Sequence, residues 1–284
     1  MSRIQMTRRV TFSSGHRYWN PSQSLEQNRA TFGPWASPFN HGHNYVLEAT
    51  VQGTVDPKTG MLVNIKIIDD VLRQCVVSDF DQRSLNDEVE EFSTTPPSVE
   101  NILEVIRHRL TCRQARTELT CLPKEVDLVK LTLIETETLY GELVNHENAW
   151  KTSLTRTYEF AASHRLHAPN LSQHENDELY GKCNNPAGHG HNYVLEVTVS
   201  GTPDPKSGML CDLGQLDSVV HSEVVDRYDH KNLNEDIPEF RDRVTTSEIV
   251  VQEIWSRLDG KVPAKLHRVR LFETARNAFE ISRD

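Results

Sequence analysis

Alternating apolar and polar positions predict four strands in the second half of the chain. Residues 189–200 place an apolar or histidine side chain at every second position, and residues 157–164 alternate in the same way. Successive side chains of a strand point to opposite faces, so each run has one buried face. Two further strands are predicted at residues 266–274 and 278–282, after a break at Pro263.

Helical spacing predicts two helices between the second and third of these strands. Asp212 is a candidate cap for the first helix, and Thr246 or Ser247 for the second. The apolar stripes are Leu216, Val219, Val220 and Val224 in the first helix, and Ile249, Val250, Ile254 and Leu258 in the second. Residues 165–188 are expected to form a long polar loop. The order strand, strand, helix, helix, strand, strand predicts an α+β fold, with a four-stranded antiparallel sheet and two helices on one face.

The first half of the chain repeats this pattern at a constant offset of 148 residues. The matched histidines are His16, His41 and His43 in the first half and His164, His189 and His191 in the second. Other matched positions are Asp56-Pro57-Lys58 with Asp204-Pro205-Lys206, Gly60-Met61-Leu62 with Gly208-Met209-Leu210, Asp81 with Asp229, and Glu100 with Glu248. The first half carries about ten extra residues near positions 111–127. A repeat of this length indicates two tandem domains, at residues 1–147 and 148–284.

Composition fits two domains and excludes some functional classes. A chain of 284 residues suits two domains at one per ~150 residues. The net charge of −10 argues against general nucleic-acid binding, which favours basic patches. No apolar run reaches the ~18 residues of a membrane span, and we expect no signal peptide. Five cysteines without regular spacing favour a reducing cytoplasm over a disulfide framework.

The histidine pattern points to a metal site. His189 and His191 are two apart on a predicted strand, so they share a face, and His164 ends the neighbouring predicted strand. Three imidazoles with an open fourth position are typical of a catalytic zinc site. Three unrelated surface histidines are the alternative, and the repetition of the pattern in the first half argues against it.

Three further features of the second half could carry chemistry. Cys183 is a potentially reactive thiol just before the paired histidines. Asp229-His230 is either a solvated pair or a proton relay in which the carboxylate orients the imidazole. Glu273 ends a predicted strand, where a carboxylate is either salt-bridged or able to hold the guanidine-like edge of a heterocycle.

Together these residues resemble the 6-pyruvoyl-tetrahydropterin synthase family, which has the tunnelling fold. The resemblance covers residues 155–284. It is carried by Ala162-Ser163-His164-Arg165-Leu166, residues 182–193, Asp229-His230-Lys231-Asn232-Leu233, Thr246-Ser247-Glu248 and Phe272-Glu273-Thr274. It implies a lyase that eliminates triphosphate from 7,8-dihydroneopterin triphosphate, with internal redox of the side chain, to give 6-pyruvoyl-tetrahydropterin.

The resemblance also implies a role for each matched residue. Zinc would be held by His164, His189 and His191, and in the first half by His16, His41 and His43. Cys183 would be the base, and Asp229 with His230 a second proton route. Glu273 would anchor the pterin ring, helped by Thr246 and Glu248. Trimeric barrels, commonly stacked in pairs with active sites between subunits, are typical of the family, so we expect a homotrimer of tandem chains.

Two alternatives to this function stay open. The sister activity, 6-carboxytetrahydropterin synthase of the queuosine route, uses the same substrate and zinc but also releases acetaldehyde. The five residues between Cys183 and His189 favour the pyruvoyl enzymes over this sister group. A non-enzymatic pterin-binding or assembly protein with structural zinc is the other alternative.

The first half departs from the pattern at two positions. Trp35 stands where Cys183 does, and Gln82 stands where His230 does. Neither side chain can move a proton near neutral pH. The first half is therefore expected either to be retained for assembly or to form a zinc-dependent site that binds pterin or performs a different reaction.

Overall fold

The chain forms two compact units in the computed structural model, which describes residues 3–111, 122–147 and 149–283. Unit 1 comprises Met1–Leu154 together with Ser200–Asp212, and unit 2 comprises Thr155–Val199 and Leu213–Asp284. A loop from the second repeat of the sequence therefore belongs to the first unit. Most of the predicted extra segment of the first half lies outside the described residues.

Unit 1 is a sheet with helices packed against it. Its strands are β1 (Ile4–His16), β2 (His41–Gly53), β3 (Arg83–Ser84), β4 (Val126–Thr136) and β5 (Leu139–His146), in the order β3-β1-β2-β4-β5. Its helices are α1 (Leu25–Phe32), α2 (Ile65–Leu72), α3 (Ser78–Phe80), α4 (Leu85–Glu88) and α5 (Val99–Thr111). The strand pairs of unit 1 are antiparallel except for the short β3, which pairs in parallel with β1. Strands β1 and β2 pair so that His16 lies opposite His41. Alternate residues of β2, from Tyr45 to Val51, are fully buried and form the core face of the sheet.

Unit 2 repeats this arrangement. Its strands are β6 (Ala149–His164, from Thr155 onward), β7 (His189–Gly201), β8 (Lys231–Asn232), β9 (Lys265–Thr274) and β10 (Asn277–Ser282), in the order β10-β9-β7-β6, with β8 parallel to β6. Its helices are α6 (Gln173–Tyr180), α7 (Leu213–Val220), α8 (Asp226–Tyr228) and α9 (Ser247–Leu258). The α+β prediction and all four predicted strands are confirmed. In both units the helix after the second strand continues into a π-helical turn, Arg73–Val77 and His221–Val225.

The cores agree with the predicted apolar stripes. Leu216, Val220 and Val224 are fully buried, and so are Val250, Ile254 and Leu258 of α9. Val219 and Ile249 are only half-buried, at the margins of their helices. No helix among the described residues is long and apolar enough to span a membrane.

The prediction of a polar loop at residues 165–188 is wrong, because this segment contains a helix. Ser172 is the N-cap of α6 and accepts a hydrogen bond from the Glu175 N–H, while the Glu175 side chain accepts one from the Ser172 N–H. This reciprocal pair is a capping box, and the Ser-x-x-Glu spacing was its signal in the sequence. Only Asn176 of α6 is buried, so the helix has no apolar stripe to reveal it. A 3₁₀ turn, Gly181–Asn184, follows and carries Cys183.

Candidate metal centre and active site

The structure of unit 2 brings three imidazoles together. His164 is the last residue of β6, and His189 and His191 share a face at the start of β7. Their ring centroids are 4.7 Å, 5.0 Å and 5.1 Å apart, and one nitrogen of each lies within 4.8 Å of the other two. Donor atoms at this separation can bind one metal ion.

Hydrogen bonding fixes the orientation of the central imidazole. His164 is 1% exposed, and its Nδ1 donates to the carbonyl oxygen of Thr245 at 2.7 Å. This bond sets the tautomer and leaves Nε2 as a lone-pair donor directed at the other rings. Nε2 of His164, Nε2 of His191 and Nδ1 of His189 are buried without a hydrogen-bond partner in the described part of the chain. Buried polar atoms are rarely left unpaired, so an unpartnered nitrogen on each ring of a cluster with metal-ligand geometry fits the binding of a metal ion.

His164 and His191 are in the protonation state that a metal requires. Burial lowers the pKa of His164, and the nearby His189 adds to this effect. Burial likewise lowers the pKa of His191. Both side chains are therefore neutral at pH 7, and only a neutral imidazole can donate its lone pair to a metal.

Glu273 stands beside this centre at the end of β9. Its Oε1 lies 3.8 Å from His164 Nε2 and 3.9 Å from His191 Nε2. Burial acts to raise its pKa, but hydrogen bonds from Ser247 Oγ (2.7 Å) and Asn277 Nδ2 (3.2 Å) outweigh it, so the pKa lies below the usual value. The carboxylate is thus held ionised. In the sequence Ser247 shows only the signal of a helix cap, and nothing there indicates its contact with Glu273.

The two other predicted pterin-binding residues lie at the start of α9. Thr246 is the N-cap residue, and its side chain makes no capping hydrogen bond. Glu248 is exposed in the first turn of the helix. Glu248 therefore presents its carboxylate to solvent, while Thr246 is half-buried beside Ser247, which binds Glu273.

Cys183 lies half-buried in the 3₁₀ turn before β7. Its carbonyl oxygen accepts a hydrogen bond from the Leu166 N–H at 2.9 Å. The next residue, Asn184, is 2% exposed and binds Arg165 and Asp177 through its side chain. These contacts fix the turn beside the end of β6. Among the described residues, the group with metal-ligand geometry contains the three imidazoles and not the Cys183 thiol.

Asp229 and His230 form the predicted pair at the edge of the sheet. His230 Nδ1 lies 2.7 Å from Asp229 Oδ2, and the Ala161 N–H donates to Asp229 Oδ1 at 2.7 Å. These bonds lower the pKa of Asp229, with the Ala161 bond the larger cause. The His230 side chain is 84% exposed. Within the described residues, no direct hydrogen bond joins the pair to Cys183 or to the three imidazoles.

A cleft of about 470 Å³ opens beside this pair. It is lined by Ala161, Ala162, Ser163, Gly190, His191, Asn192, His230, Lys231 and Asn232. Several of these residues alternate with the metal-facing histidines along β6 and β7, and alternate residues face opposite sides of a sheet. The cleft therefore lies mainly on the side of the sheet away from the imidazole nitrogens.

Unit 1 contains a second imidazole triad. The rings of His16, His41 and His43 have centroids 4.4 Å, 5.1 Å and 5.2 Å apart, again with one nitrogen of each within 4.8 Å of the others. His16 Nδ1 donates to the Pro97 carbonyl oxygen at 2.8 Å, as His164 does to Thr245. Glu135 Oε1 lies 3.6 Å from His16 Nε2 and accepts a hydrogen bond from the Tyr45 hydroxyl at 3.1 Å.

The replaced residues of unit 1 keep the backbone geometry of their counterparts. Gln82 has a positive φ of 59°, close to the 58° of His230, and its N–H donates to the Ser13 carbonyl oxygen as the His230 N–H does to Ala161. Asp81 accepts a hydrogen bond from the Ser13 N–H at 2.8 Å. Trp35 lies in the matching 3₁₀ turn and is 39% exposed. At these two positions unit 1 therefore differs from unit 2 in the side chains, while the backbone geometry is the same.

Burial of His16 predicts an acid-sensitive unit 1 when metal is removed. Burial, with the neighbouring His41, lowers the pKa of His16 from 6.5 to about 3. Below pH 6.5 the unfolded chain therefore binds a proton that the folded chain excludes, so stability falls as the pH drops from 6.5 towards 3. We expect chelator-treated protein to lose up to a few kcal/mol over this window. Urea unfolding at pH 7 and at pH 5 measures this change in the free energy of unfolding.

Two variants provide the comparison for this pH effect. His16→Gln should reduce the dependence of the unfolding free energy on pH. His108→Gln, at an exposed position of α5, should leave that dependence unchanged. An equal dependence in both variants would contradict the assignment to His16.

Comparison with known proteins places the chain in a family. The family model of 6-pyruvoyl tetrahydropterin synthase matches residues 5–145 and again residues 153–284. The chain is 46% identical over 125 residues to the 6-pyruvoyl tetrahydrobiopterin synthase of Poecilia reticulata, covering 44% of this chain and 85% of that protein. It is 44% identical over 128 residues to the human enzyme of the same name, covering 45% and 88%.

A more distant relative carries the name of the sister activity. The chain is 38% identical over 95 residues to a putative 6-carboxy-5,6,7,8-tetrahydropterin synthase of Archaeoglobus fulgidus, covering 34% of this chain and 76% of that protein. Both matches of the family model together span nearly the whole sequence. The chain therefore belongs to the 6-pyruvoyl tetrahydropterin synthase family of lyases and carries the domain of that family twice.

Proposed function

We propose that the second repeat converts 7,8-dihydroneopterin triphosphate to 6-pyruvoyl-tetrahydropterin with release of triphosphate. The observation that carries this proposal is the cluster of three imidazoles with metal-ligand geometry beside the ionised carboxylate of Glu273. The reaction needs no external oxidant, because carbon atoms of the side chain are oxidised while the ring is reduced. The two relatives are named 6-pyruvoyl tetrahydrobiopterin synthase, and these names support a pterin substrate.

Glu273 is the proposed anchor of the pterin ring. The edge of a pterin presents neighbouring N–H donors, which a carboxylate can accept through both of its oxygens. Ser247 and Asn277 hold the Glu273 carboxylate in place and keep it charged. Thr246 and Glu248, at the exposed start of α9, supply further polar groups for the ring.

Zinc is the proposed metal, held by His164, His189 and His191. Three imidazole nitrogen donors with an open fourth position fit catalytic zinc, and no carboxylate or thiolate of the described residues belongs to the same donor group. When bound, zinc supplies Lewis acidity towards the hydroxyl groups of the side chain. The carbonyl of Thr245 keeps His164 in the ligand tautomer.

Proton movement is assigned to Cys183 and to the Asp229–His230 pair. Cys183, as thiolate, removes protons from the substrate side chain. Asp229 orients His230, and the 84% exposed imidazole exchanges protons with solvent. The first repeat lacks both of these proton-moving side chains, because Trp35 stands at the position of Cys183 and Gln82 at the position of His230.

The first repeat is proposed to bind metal without catalysing the reaction. Its triad has the same donor geometry, and the pKa of His43 is lowered by burial to about 4, so these imidazoles also stay neutral. The role of this site is then pterin binding or assembly. We further propose a homotrimer of tandem chains in the cytoplasm, and a light-scattering mass near that of one chain would contradict the trimer.

A matched pair of glutamate variants tests the proposed substrate and its location. Glu273→Gln replaces a charged acceptor by a neutral amide, and we expect KM to rise about 10- to 100-fold, since a charge-assisted hydrogen bond is worth about 1.5–3 kcal/mol. Glu135→Gln, the matched change in the first repeat, should leave turnover unchanged. Steady-state kinetics with 7,8-dihydroneopterin triphosphate measures both. Equal effects of the two variants would contradict the assignment of catalysis to the second repeat.

A further inference from the structure

Tyr193 of β7 is a buried tyrosine whose hydroxyl has no hydrogen-bond partner among the described residues. The side chain is 0% exposed and shares a face of β7 with His191. Its ring centroid lies 5.6 Å from that of His191 and 6.3 Å from that of His164. A buried phenol usually finds a hydrogen-bond partner, so an unpaired one beside a binding site indicates a partner that arrives with the ligand.

The matching tyrosine of unit 1 has its partner inside the protein. Tyr45 is also fully buried, and its ring centroid lies 5.6 Å from that of His43 and 6.2 Å from that of His16. The two tyrosines therefore occupy the same place beside their triads. The Tyr45 hydroxyl, however, donates a hydrogen bond to Glu135 Oε1 at 3.1 Å. In unit 1 the carboxylate thus engages the phenol.

The two repeats also differ at one position that contacts this carboxylate. Ser247 is buried at the start of α9, and its hydroxyl donates to Glu273 Oε1 at 2.7 Å. Glu273 is the counterpart of Glu135. In the first repeat Val99 stands at the position of Ser247, and it has no hydroxyl to donate. Ser247 therefore supplies the carboxylate of unit 2 with a hydrogen bond of the kind that the phenol supplies in unit 1, and the phenol of unit 2 is left for another acceptor.

The Tyr193 hydroxyl nevertheless lies near this carboxylate. Burial raises the pKa of Tyr193, Glu273 adds to the rise, and Ser247 acts in the opposite direction. Both side chains are therefore close to the hydroxyl, although within the described chain neither has the geometry of a hydrogen bond with it. Because Glu273 itself lies 3.8 Å from Nε2 of His164, the hydroxyl is at the side of the triad where the substrate is proposed to bind.

We propose that Tyr193 is a further catalytic residue, whose hydroxyl donates a hydrogen bond to an oxygen of the substrate side chain at the triad. The inference rests on the proposed function. Negative charge develops on such an oxygen when a proton leaves the carbon next to a carbonyl group of the side chain, and a donor already held at that position stabilises the charge. The phenol keeps its proton, so no bond to the Tyr193 oxygen forms or breaks. Ser247 is a positioning residue, because its bond to Glu273 keeps the carboxylate from engaging the phenol.

Tyr193→Phe tests the proposal, because it removes the hydroxyl and nothing else. We expect kcat with 7,8-dihydroneopterin triphosphate to fall about 10²- to 10³-fold, the usual effect of losing one such donor. KM should change less than about 10-fold, and the metal content should stay at the wild-type value. A wild-type kcat would overturn the proposal. A rise in KM at unchanged kcat would also overturn it, because the hydroxyl would then bind a part of the substrate that does not react.

Tyr45→Phe is the matched control in the first repeat. Its hydroxyl is engaged by Glu135, so its removal should leave kcat unchanged. An equal loss of kcat in Tyr45→Phe and Tyr193→Phe would overturn the proposal, since the effect would then belong to any buried tyrosine beside a triad.

Ser247→Val tests the positioning role, because it gives the second repeat the residue of the first. The phenol should then turn to Glu273, and kcat should fall as it does in Tyr193→Phe. If Ser247 acts on kcat through Tyr193, the double variant should have the kcat of Tyr193→Phe alone. Multiplied losses of kcat in the double variant would overturn this role of Ser247.

Binding of 7,8-dihydroneopterin, the substrate without its triphosphate, separates this inference from the proposed function. If wild-type protein does not convert the triphosphate, the proposed function fails, and calorimetric titration then decides the role of the hydroxyl. Zinc-loaded His41→Ala protein, which is expected to keep only the metal of the second repeat, is compared with the same protein carrying Tyr193→Phe. We expect the dissociation constant to rise about 3- to 10-fold, as for the loss of one hydrogen bond. Equal dissociation constants, or no binding by either protein, would overturn the proposal.

Discussion

His189→Ala is expected to lower turnover of 7,8-dihydroneopterin triphosphate by at least about 10³-fold, because a triad with two imidazoles no longer holds a catalytic metal. His189 contributes one of the three converging nitrogens, and its Nδ1 is buried without another partner in the described residues. Metal analysis of the purified variant should show one equivalent fewer per chain. We expect only a small change in the free energy of unfolding, because the His189 side chain is only half-buried.

The matched control is His41→Ala in the first repeat. His41 occupies the same place in the other triad, and it is exposed. We expect this variant also to lose one metal equivalent but to retain most of its turnover. If His41→Ala abolished turnover as completely as His189→Ala, the first repeat would take part in the chemistry and the division of labour between the repeats would be wrong.

Cys183→Ala is expected to lower kcat by about 10²- to 10⁴-fold, the usual contribution of a positioned base. The thiol lies outside the group of metal ligands, so the metal content should stay at the wild-type value. Because Glu273 and not Cys183 anchors the ring in this account, KM should change little. Steady-state kinetics and metal analysis of the same preparation separate these effects.

Two further variants sharpen the test of Cys183. Cys183→Ser keeps the size of the side chain but raises its pKa far above that of a thiol, so it should be nearly as inactive as Cys183→Ala. Trp35→Ala, at the matching position of the first repeat, should leave kcat unchanged. A Cys183→Ala protein with wild-type kcat would show that another group acts as the base.

The sequence predicted those features that depend on periodicity or on the repeat. Alternation along residues 189–200 predicted β7 and put His189, His191 and the buried Tyr193 on one face, as the structure confirms. The constant offset gave two histidine triads, and each forms a cluster with metal-ligand geometry. Such features can be predicted because alternate residues of a strand lie on one face of the sheet, so a local pattern shows which side chains share a face.

Features that depend on backbone groups or on packing between distant residues could not be predicted from the sequence. The Thr245 carbonyl that orients His164 has no signature in the sequence, and the contact between Ser247 and Glu273 joins residues 26 positions apart. Adjacency in the sequence could not show that His230 lies at the sheet edge, beside Ala161. The contacts of Gly208 and Leu210 with Ser98 and Glu100 join residues 110 positions apart, and no local pattern indicates them.

Mass spectrometry of the products distinguishes the proposed reaction from the sister activity and from a protein that only binds pterin. Zinc-loaded protein is incubated with 7,8-dihydroneopterin triphosphate, and pterins, triphosphate and acetaldehyde are measured in the same reaction. We predict 6-pyruvoyl-tetrahydropterin and triphosphate in equal amounts, without acetaldehyde. Release of acetaldehyde with a 6-carboxytetrahydropterin, or no conversion of the substrate at all, would contradict the account.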